Sequence, residues 1–268
     1  MKKILLIFAM FLLIFSAKAQ SFYANCETGQ SLLFGVIDKT SNKVAIMGTG
    51  TEKPVGKVVL PSIVEYNGQS YEVVEIKMGS FSGCNEMTSL TISKTINKIN
   101  LICFDSFRNL EEIIVDPENE VYDSRDNCNA IIVTADNELV YGCKNAFIPN
   151  TVVSIDWYAF RGSGLTAITI PESVKVIRCL AFYDCLITEL FIPSTVERIE
   201  YEPWDAERVT ATLEGTDLKL EAGTYYFVDE YDEHDLAYGV VVVPCGMRET
   251  YENSPWGKFL PIREDCKE

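Results

Sequence analysis

The chain is poor in histidine, in basic charge and in the spacings that build catalytic or metal sites. Its one His, His234, lies in the acidic run DEYDEHD, Asp229 to Asp235. Ser-His-Asp or Cys-His catalysis would have to use that single imidazole, and no G-x-S-x-G accompanies it. The acidic run lacks the fixed spacing and turn Gly of a calcium loop and reads as a solvated loop. No C-x-x-C occurs, so neither a zinc ribbon nor a thioredoxin-like redox site has support, and no cofactor is implied. Lys and Arg number 23 against 39 Asp and Glu. Such a field repels phosphate backbones and anionic lipid surfaces, so no nucleic acid partner is expected.

Long apolar runs are also scarce. After the first twenty residues nothing is long and apolar enough to span a bilayer. The start itself, MKKILLIFAMFLLIFSAKAQ, has two Lys, an apolar run from Ile4 to Phe15, and Ala17-Lys18-Ala19 as an A-x-A-like cleavage site. Residues 1–19 are expected to be a signal peptide, which leaves Gln20 as the first residue of an exported chain on the outer surface, secreted or periplasmic. The mature chain then carries 20 basic and 39 acidic residues, or −19. All nine Cys follow this segment, and an odd count cannot pair completely. Most are expected to be small buried side chains, with at most one or two disulfides. Cys128 and Cys143 bracket a hairpin-like segment and could bond if its ends are close.

What the sequence does contain is a period of twenty-two residues. Ile148-Pro149, Ile170-Pro171 and Ile192-Pro193 recur in phase with Val152, Val174 and Val196, with Ile155, Ile177 and Ile199, and with Ala159-Phe160 and Ala181-Phe182. Pro203-Trp204 stands in the next Ala-Phe slot. Before each Ile-Pro runs L-x-x-L-x-L: Cys143, Ala146, Ile148; Leu165, Ile168, Ile170; Ile187, Leu190, Ile192. Two earlier copies, Met87-Leu90-Ile92 and Leu110-Ile113-Val115, come at slightly longer spacing. One such turn cannot close a core, whereas a stack of them can. The pattern predicts a β-rich repeat solenoid with one short parallel strand per 22–23-residue turn.

The phrase I-P-x-[ST]-V-x-x-I-x-x-x-A-F-x-x-C, best matched at Ile148–Phe160 and Ile170–Cys185, resembles the BspA-like leucine-rich repeat family of exported and surface bacterial proteins. The segments Val58–Ile76, Val121–Asn145 and Val241–Glu264 also look like that family. The resemblance implies a leucine-rich repeat fold and a role in surface adhesion or interaction, and it is silent about the ligand. The expected layout is an N-terminal β cap over 20–57, a solenoid over 58–204 with a hairpin insert at 117–145, and a C-terminal cap over 205–268.

Candidate binding residues come from the outward phase of the strands. The x between the second and third apolar slots reads Thr91, Ile114, Phe147, Thr169 and Phe191. Their neighbours already fill the inward phase, so core burial does not account for them. Phe147, Thr169 and Phe191 are expected at the centre of a binding surface for a protein or glycan, flanked by Ile114, Lys144, Glu112 and Glu189, unless the insert or the cap folds over them. Strands about 4.8 Å apart would set the two Phe rings about 10 Å apart. Two other readings stay open: a glycan-acting exported enzyme using a carboxylate pair, and a purely structural envelope component.

Overall fold

The computed structural model describes residues 21–38, 40–100, 104, 107–187, 189–193, 195–201, 209–211, 218–221, 240–253 and 262–266. The expected signal peptide, His234 with its acidic run, Pro203-Trp204 and much of the expected C-terminal cap lie outside the described residues.

The chain opens with β1 (Ser21–Asn25), β2 (Ser31–Asp38) and β3 (Lys43–Thr49), an antiparallel run whose alternate residues Phe22, Leu32, Phe34, Val44 and Ile46 are buried. Then come β4 (Gly56–Val59), β5 (Ile63–Tyr66) and β6 (Gln69–Ile76). Asn67 and Gly68 both take positive φ, which closes the two-residue hairpin between β5 and β6. β6 pairs with β3 in parallel, and the Phe22 ring stacks on Tyr66 at 4.3 Å, drawing the edge strands β1 and β5 together.

Two faces of the solenoid follow. β7 (Met87–Ile92), β8 (Lys98–Ile99) and β9 (Glu112–Val115) extend them. β4, β7 and β9 form a parallel sheet in which Val59, Thr91 and Ile114 stand in register, while β8 extends the opposite face from β6. The inward residues Leu90, Ile92, Ile113 and Val115 reach the core, as the L-x-x-L-x-L pattern requires.

Next come β10 (Tyr122–Asp123), β11 (Ala130–Val133) and β12 (Glu138–Gly142), all in the predicted insert. They do not fold over the sheet. β11 and β12 are buried on both faces: Ile131, Val140 and Tyr141 belong to the core of the N-terminal half, and Ala130, Ile132 and Leu139 to that of the C-terminal half. The unbroken apolar run AIIV has no polar face to turn to water, so it can only serve as a partition. Asn137, at φ 53°, makes the turn between the two strands. Arg125 clamps the segment by pairing with Asp123 and donating to Asn137 Oδ1 at 2.6 Å and Thr151 Oγ1 at 3.1 Å.

Beyond the partition the ladder continues in parallel through β13 (Ser154–Ile155), β14 (Val176–Ile177), β15 (Glu189–Ile192) being on the other face, and β16 (Arg198–Tyr201). The expectation of one strand per turn is corrected here. The V-x-x-I stretch carries its own ladder, whereas Cys143–Ile148 and Leu165–Ile170 form no strands, although Cys143, Ala146, Ile148, Leu165 and Ile170 are buried. At Cys143–Ile148 the partition takes the place of a neighbouring strand: the Phe147 N–H donates to the Cys128 carbonyl at 3.1 Å. Each turn is closed locally by a Pro-x-x-Val bond, from Val152, Val174 and Val196 N–H to the Pro149, Pro171 and Pro193 carbonyls.

An aromatic column runs down the interior. Phe81 stacks on Phe104 at 6.3 Å, and Tyr141 packs tilted against Phe104 at 4.7 Å; past the partition Phe160 stacks on Phe182 at 5.3 Å. Gly142 lets the second stack meet the partition, because a Cβ there would lie 2.2 Å from the Phe160 ring. The remaining strands are β17 (Val209–Ala211), β18 (Leu218–Glu221), β19 (Val240–Pro244) and, after the short helix α1 (Arg248–Glu252), β20 (Ile262–Asp265). β15 pairs with β18, β18 with β19 and β19 with β20, and a Cys245–Cys266 disulfide joins the ends of the last pair.

Cys128 and Cys143 are not bonded to each other; they face opposite cores across the partition. Cys26, Cys84 and Cys185 are likewise buried thiols. Burial pushes Cys128 up to about 11 and Cys143 and Cys185 up to about 12. No helix among the described residues is long and apolar enough to cross a membrane.

Candidate binding surface

The outward row is built by alternation. Ile113 and Val115 are buried on either side of Ile114, Ala146 and Ile148 beside Phe147, and Leu190 and Ile192 beside Phe191. The residues between them must therefore point out. Ile114 is 37% exposed, Phe147 44% and Phe191 47%, and Thr169 is exposed as well. Ile114 is brought beside Thr91 by strand register. Phe147 is not hydrogen-bonded to the strand carrying Ile114, since the Cys128 backbone stands at that edge. Phe191 lies across from Lys219 of β18 in the backbone pairing.

The polar flank differs in detail from the sequence expectation. Lys144 pairs with Glu111 at 3.5 Å, and Glu112 accepts from Ser89 Oγ at 2.6 Å. Glu189 opens β15, where its backbone faces Glu221. In the C-terminal half, sequence reasoning also missed the exposed Val153, at 41%, and Leu186, at 49%. Both stand outside the L-x-x-L-x-L phase, so that pattern carries no signal for them. It also missed Arg161, whose guanidinium lies over the rings of Tyr158 at 5.1 Å and Tyr183 at 5.4 Å, a cation–π pair of contacts on successive turns.

A carboxylate pair is drawn together on the ladder face. Arg178 Nη2 reaches Glu138 at 3.0 Å and its Nε lies 3.7 Å from Asp156, while Ser154 Oγ donates to Glu138 at 3.1 Å. Burial, and next the charge of Asp156, hold the Glu138 carboxyl above its ordinary value. With a cation bridging both groups, the arrangement ties β12, β13 and β14 together. Among the described residues, Cys245, Glu264 and Cys266 also lie close enough to suit a metal. The two sulfurs are bonded to each other, and Glu264 Oε1 accepts from the Gly246 and Arg248 N–H groups at 2.9 Å each.

A stacked solenoid with outward side chains at a fixed repeat phase matches a known pattern: the BspA type leucine rich repeat region fits residues 62–131 and 137–208 in six copies, more than half of the chain. The chain belongs to the BspA type leucine-rich repeat family. Similar solved structures are likewise bacterial leucine-rich repeat proteins. One from Bacteroides ovatus is 25% identical, with 66% of this chain and 41% of that one covered and a TM-score of 0.42. One from Eubacterium ventriosum is 17% identical, covering 67% and 68%, with a TM-score of 0.34. A leucine rich cell surface protein of Faecalibacterium prausnitzii is 15% identical, covering 72% and 61%, with a TM-score of 0.36. This BspA type chain thus spans less than half the length of the Bacteroides ovatus protein. No curated protein matches it.

Proposed function

We propose that this BspA type repeat protein is an exported, non-enzymatic binding platform whose outward row takes up a protein or glycan at the cell surface. One observation carries the reading: Ile114, Phe147 and Phe191 stay exposed between buried neighbours, and Thr169 is exposed in the same outward phase of the repeat. Exposed apolar side chains gathered on one face cost solubility unless a partner covers them. Aromatic rings around a small Thr suit a sugar face or an extended apolar peptide. Residues 1–19 serve as the export signal in this reading, and the strands at either end of the stack serve as its caps.

The test is the double variant Phe147→Ser with Phe191→Ser, screened with the wild type against immobilised glycans and matrix proteins. Binding is expected to disappear while stability changes by less than about 1 kcal/mol, as for surface substitutions in general. A loss of several kcal/mol, or binding that survives, would remove the row from the function.

A further inference from the structure

The parallel sheet has an edge strand, β4, whose outer side meets no other strand among the described residues. Gly56 N–H donates to the Glu86 carbonyl at 2.8 Å and Leu60 N–H to the Thr91 carbonyl at 2.9 Å, so the even residues serve β7. By the pleat, residues 55, 57 and 59 turn their backbone groups the opposite way. There two side chains of the Cys26–Gln30 turn take the place of a strand. Gln30 Nε2 donates to the Lys57 carbonyl at 3.0 Å and the Val55 carbonyl at 3.4 Å, and Thr28 Oγ1 accepts from the Val59 N–H at 3.2 Å. The turn itself is fixed by a Cys26 N–H to Gln30 carbonyl bond at 2.8 Å and by Gly29 at φ 89°.

An open groove of about 560 Å³ lies against the same turn and meets the start of this edge at Val55; Tyr23, Thr28, Gln30, Thr51 and Lys53 line the rest. Lys53 is held to one wall by its bonds to the Ser82 carbonyl at 2.8 Å and to Thr49 Oγ1 at 3.3 Å. Tyr23 and Val55 stand 58% and 56% exposed.

We propose that the β4 edge is a docking site for an extended peptide segment of a partner protein, which joins the sheet as a strand by taking over the backbone groups that Gln30 and Thr28 hold. The chemistry of the edge selects the occupant. Two carbonyls and an N–H, spaced two residues apart along one line, match the alternating donors and acceptors of an extended backbone. In such strand addition the main-chain bonds supply affinity and neighbouring apolar surface reads alternate side chains, the part open to Tyr23 and Val55. An exposed edge is otherwise a liability that proteins block, and a latch of two side chains blocks it in a way that a strand can displace. The site is separate from the outward row and does not rest on it.

The probe is a fluorescent peptide with the sequence of residues 86–93 (EMTSLTIS), which includes the strand that β4 already pairs with on its other side. A control peptide carries Leu90→Pro. Anisotropy titration of the full chain is expected to give saturable binding that weakens at least tenfold with the control. Gln30→Ala, which removes the latch, is expected to tighten binding several-fold. Gln30→Glu, which keeps the reach but not the donor, should do the same and guards against a folding defect in the first variant. Saturation should also slow hydrogen exchange at the Lys57 and Val59 amides. Absence of binding, equal affinity for the control, or self-association of Gln30→Ala without peptide uptake would overturn the proposal; the last would make the latch only a guard against edge pairing.

Discussion

The two cores on either side of the partition are made from the same turn yet are held by different faces. In the N-terminal half the L-x-x-L-x-L runs form the hydrogen-bonded sheet β4-β7-β9, and the opposite face is bonded as well through β3, β6 and β8. In the C-terminal half the corresponding runs at 143–148 and 165–170 bury their first and last apolar slots but form no strands, while the ladder β12-β13-β14-β16 carries the hydrogen bonds of the other face. Apolar period therefore decides which side chains are inside. In the C-terminal half the partition offers the edge of β12 to β13, and the ladder of that face starts there.

The largest expected effect tests whether the partition stays shut. The thiols of Cys128 and Cys143 sit on its two sides, and burial raises both. From a starting value of 9.0, a thiol at about 12 has roughly a thousandth of the thiolate at pH 8, so Cys143 should alkylate about a thousandfold more slowly in the native protein than after unfolding. Mass spectrometry after timed iodoacetamide treatment checks this; rapid labelling at either Cys would mean that the two halves open at the partition.

Core truncation sharpens the comparison next. Phe182→Ala and Phe81→Ala, one in each core, are each expected to cost about 3–5 kcal/mol. Because β11 and β12 are shared, both should displace a single denaturation transition seen by fluorescence and by circular dichroism. Lys175→Ala, on the surface, should change little. Two separable transitions would show that the halves are independent cores.

Gly142→Ala probes the join itself. With a methyl 2.2 Å from Phe160, the ring or the partition must shift, at about 1–3 kcal/mol for overpacking. Phe160→Leu should relieve part of that cost, so a double-mutant cycle is expected to show coupling between the sites.

The smallest effects have opposite signs in the two halves. Glu75 in the N-terminal half is buried, which alone would raise it, yet the Lys77 and Lys98 ammoniums at 2.7 and 3.0 Å hold it below 4.5. Its contribution is present above the unfolded value and is lost as pH falls through the folded one. Glu138 in the C-terminal half is raised by burial and Asp156, so the fold binds its proton more tightly and loses stability as pH climbs from the unfolded to the folded value. Urea midpoints between pH 3 and 7 should show Glu75→Gln with a shallower acid decline than wild type, and Glu138→Gln gaining on wild type as pH rises.

The inward side of the fold was legible in the residues themselves. Val152, Val174 and Val196 are fully buried, as are Ile155, Ile177, Phe160 and Phe182, each in the slot the 22-residue period assigns. The exposed state of Phe147 and Phe191 was also legible, because alternation leaves the middle residue nowhere inward to go. The partition was not. AIIV and ELVYG read as a hairpin, and only the packing of both faces distinguishes an inner wall from an outer flap. The β4 latch was beyond reach for another reason: Gln30 and Thr28 find their partners 25 to 31 residues away through single side-chain bonds, and no local pattern marks such contacts.

The Pro-x-x-Val closures have a consequence for inheritance. Residues 149–170 begin and end on the same motif as residues 171–192, and the bond from Lys175 N–H to the Val153 carbonyl recurs one step on from Glu197 N–H to the Lys175 carbonyl. A crossover between the gene segments encoding these turns keeps the reading frame and joins Ile148 to Pro171, which faces the ladder with a copy of what was lost. Chain length on that side can thus drift by whole turns, while the partition, present once and buried on both faces, fixes where such drift has to stop.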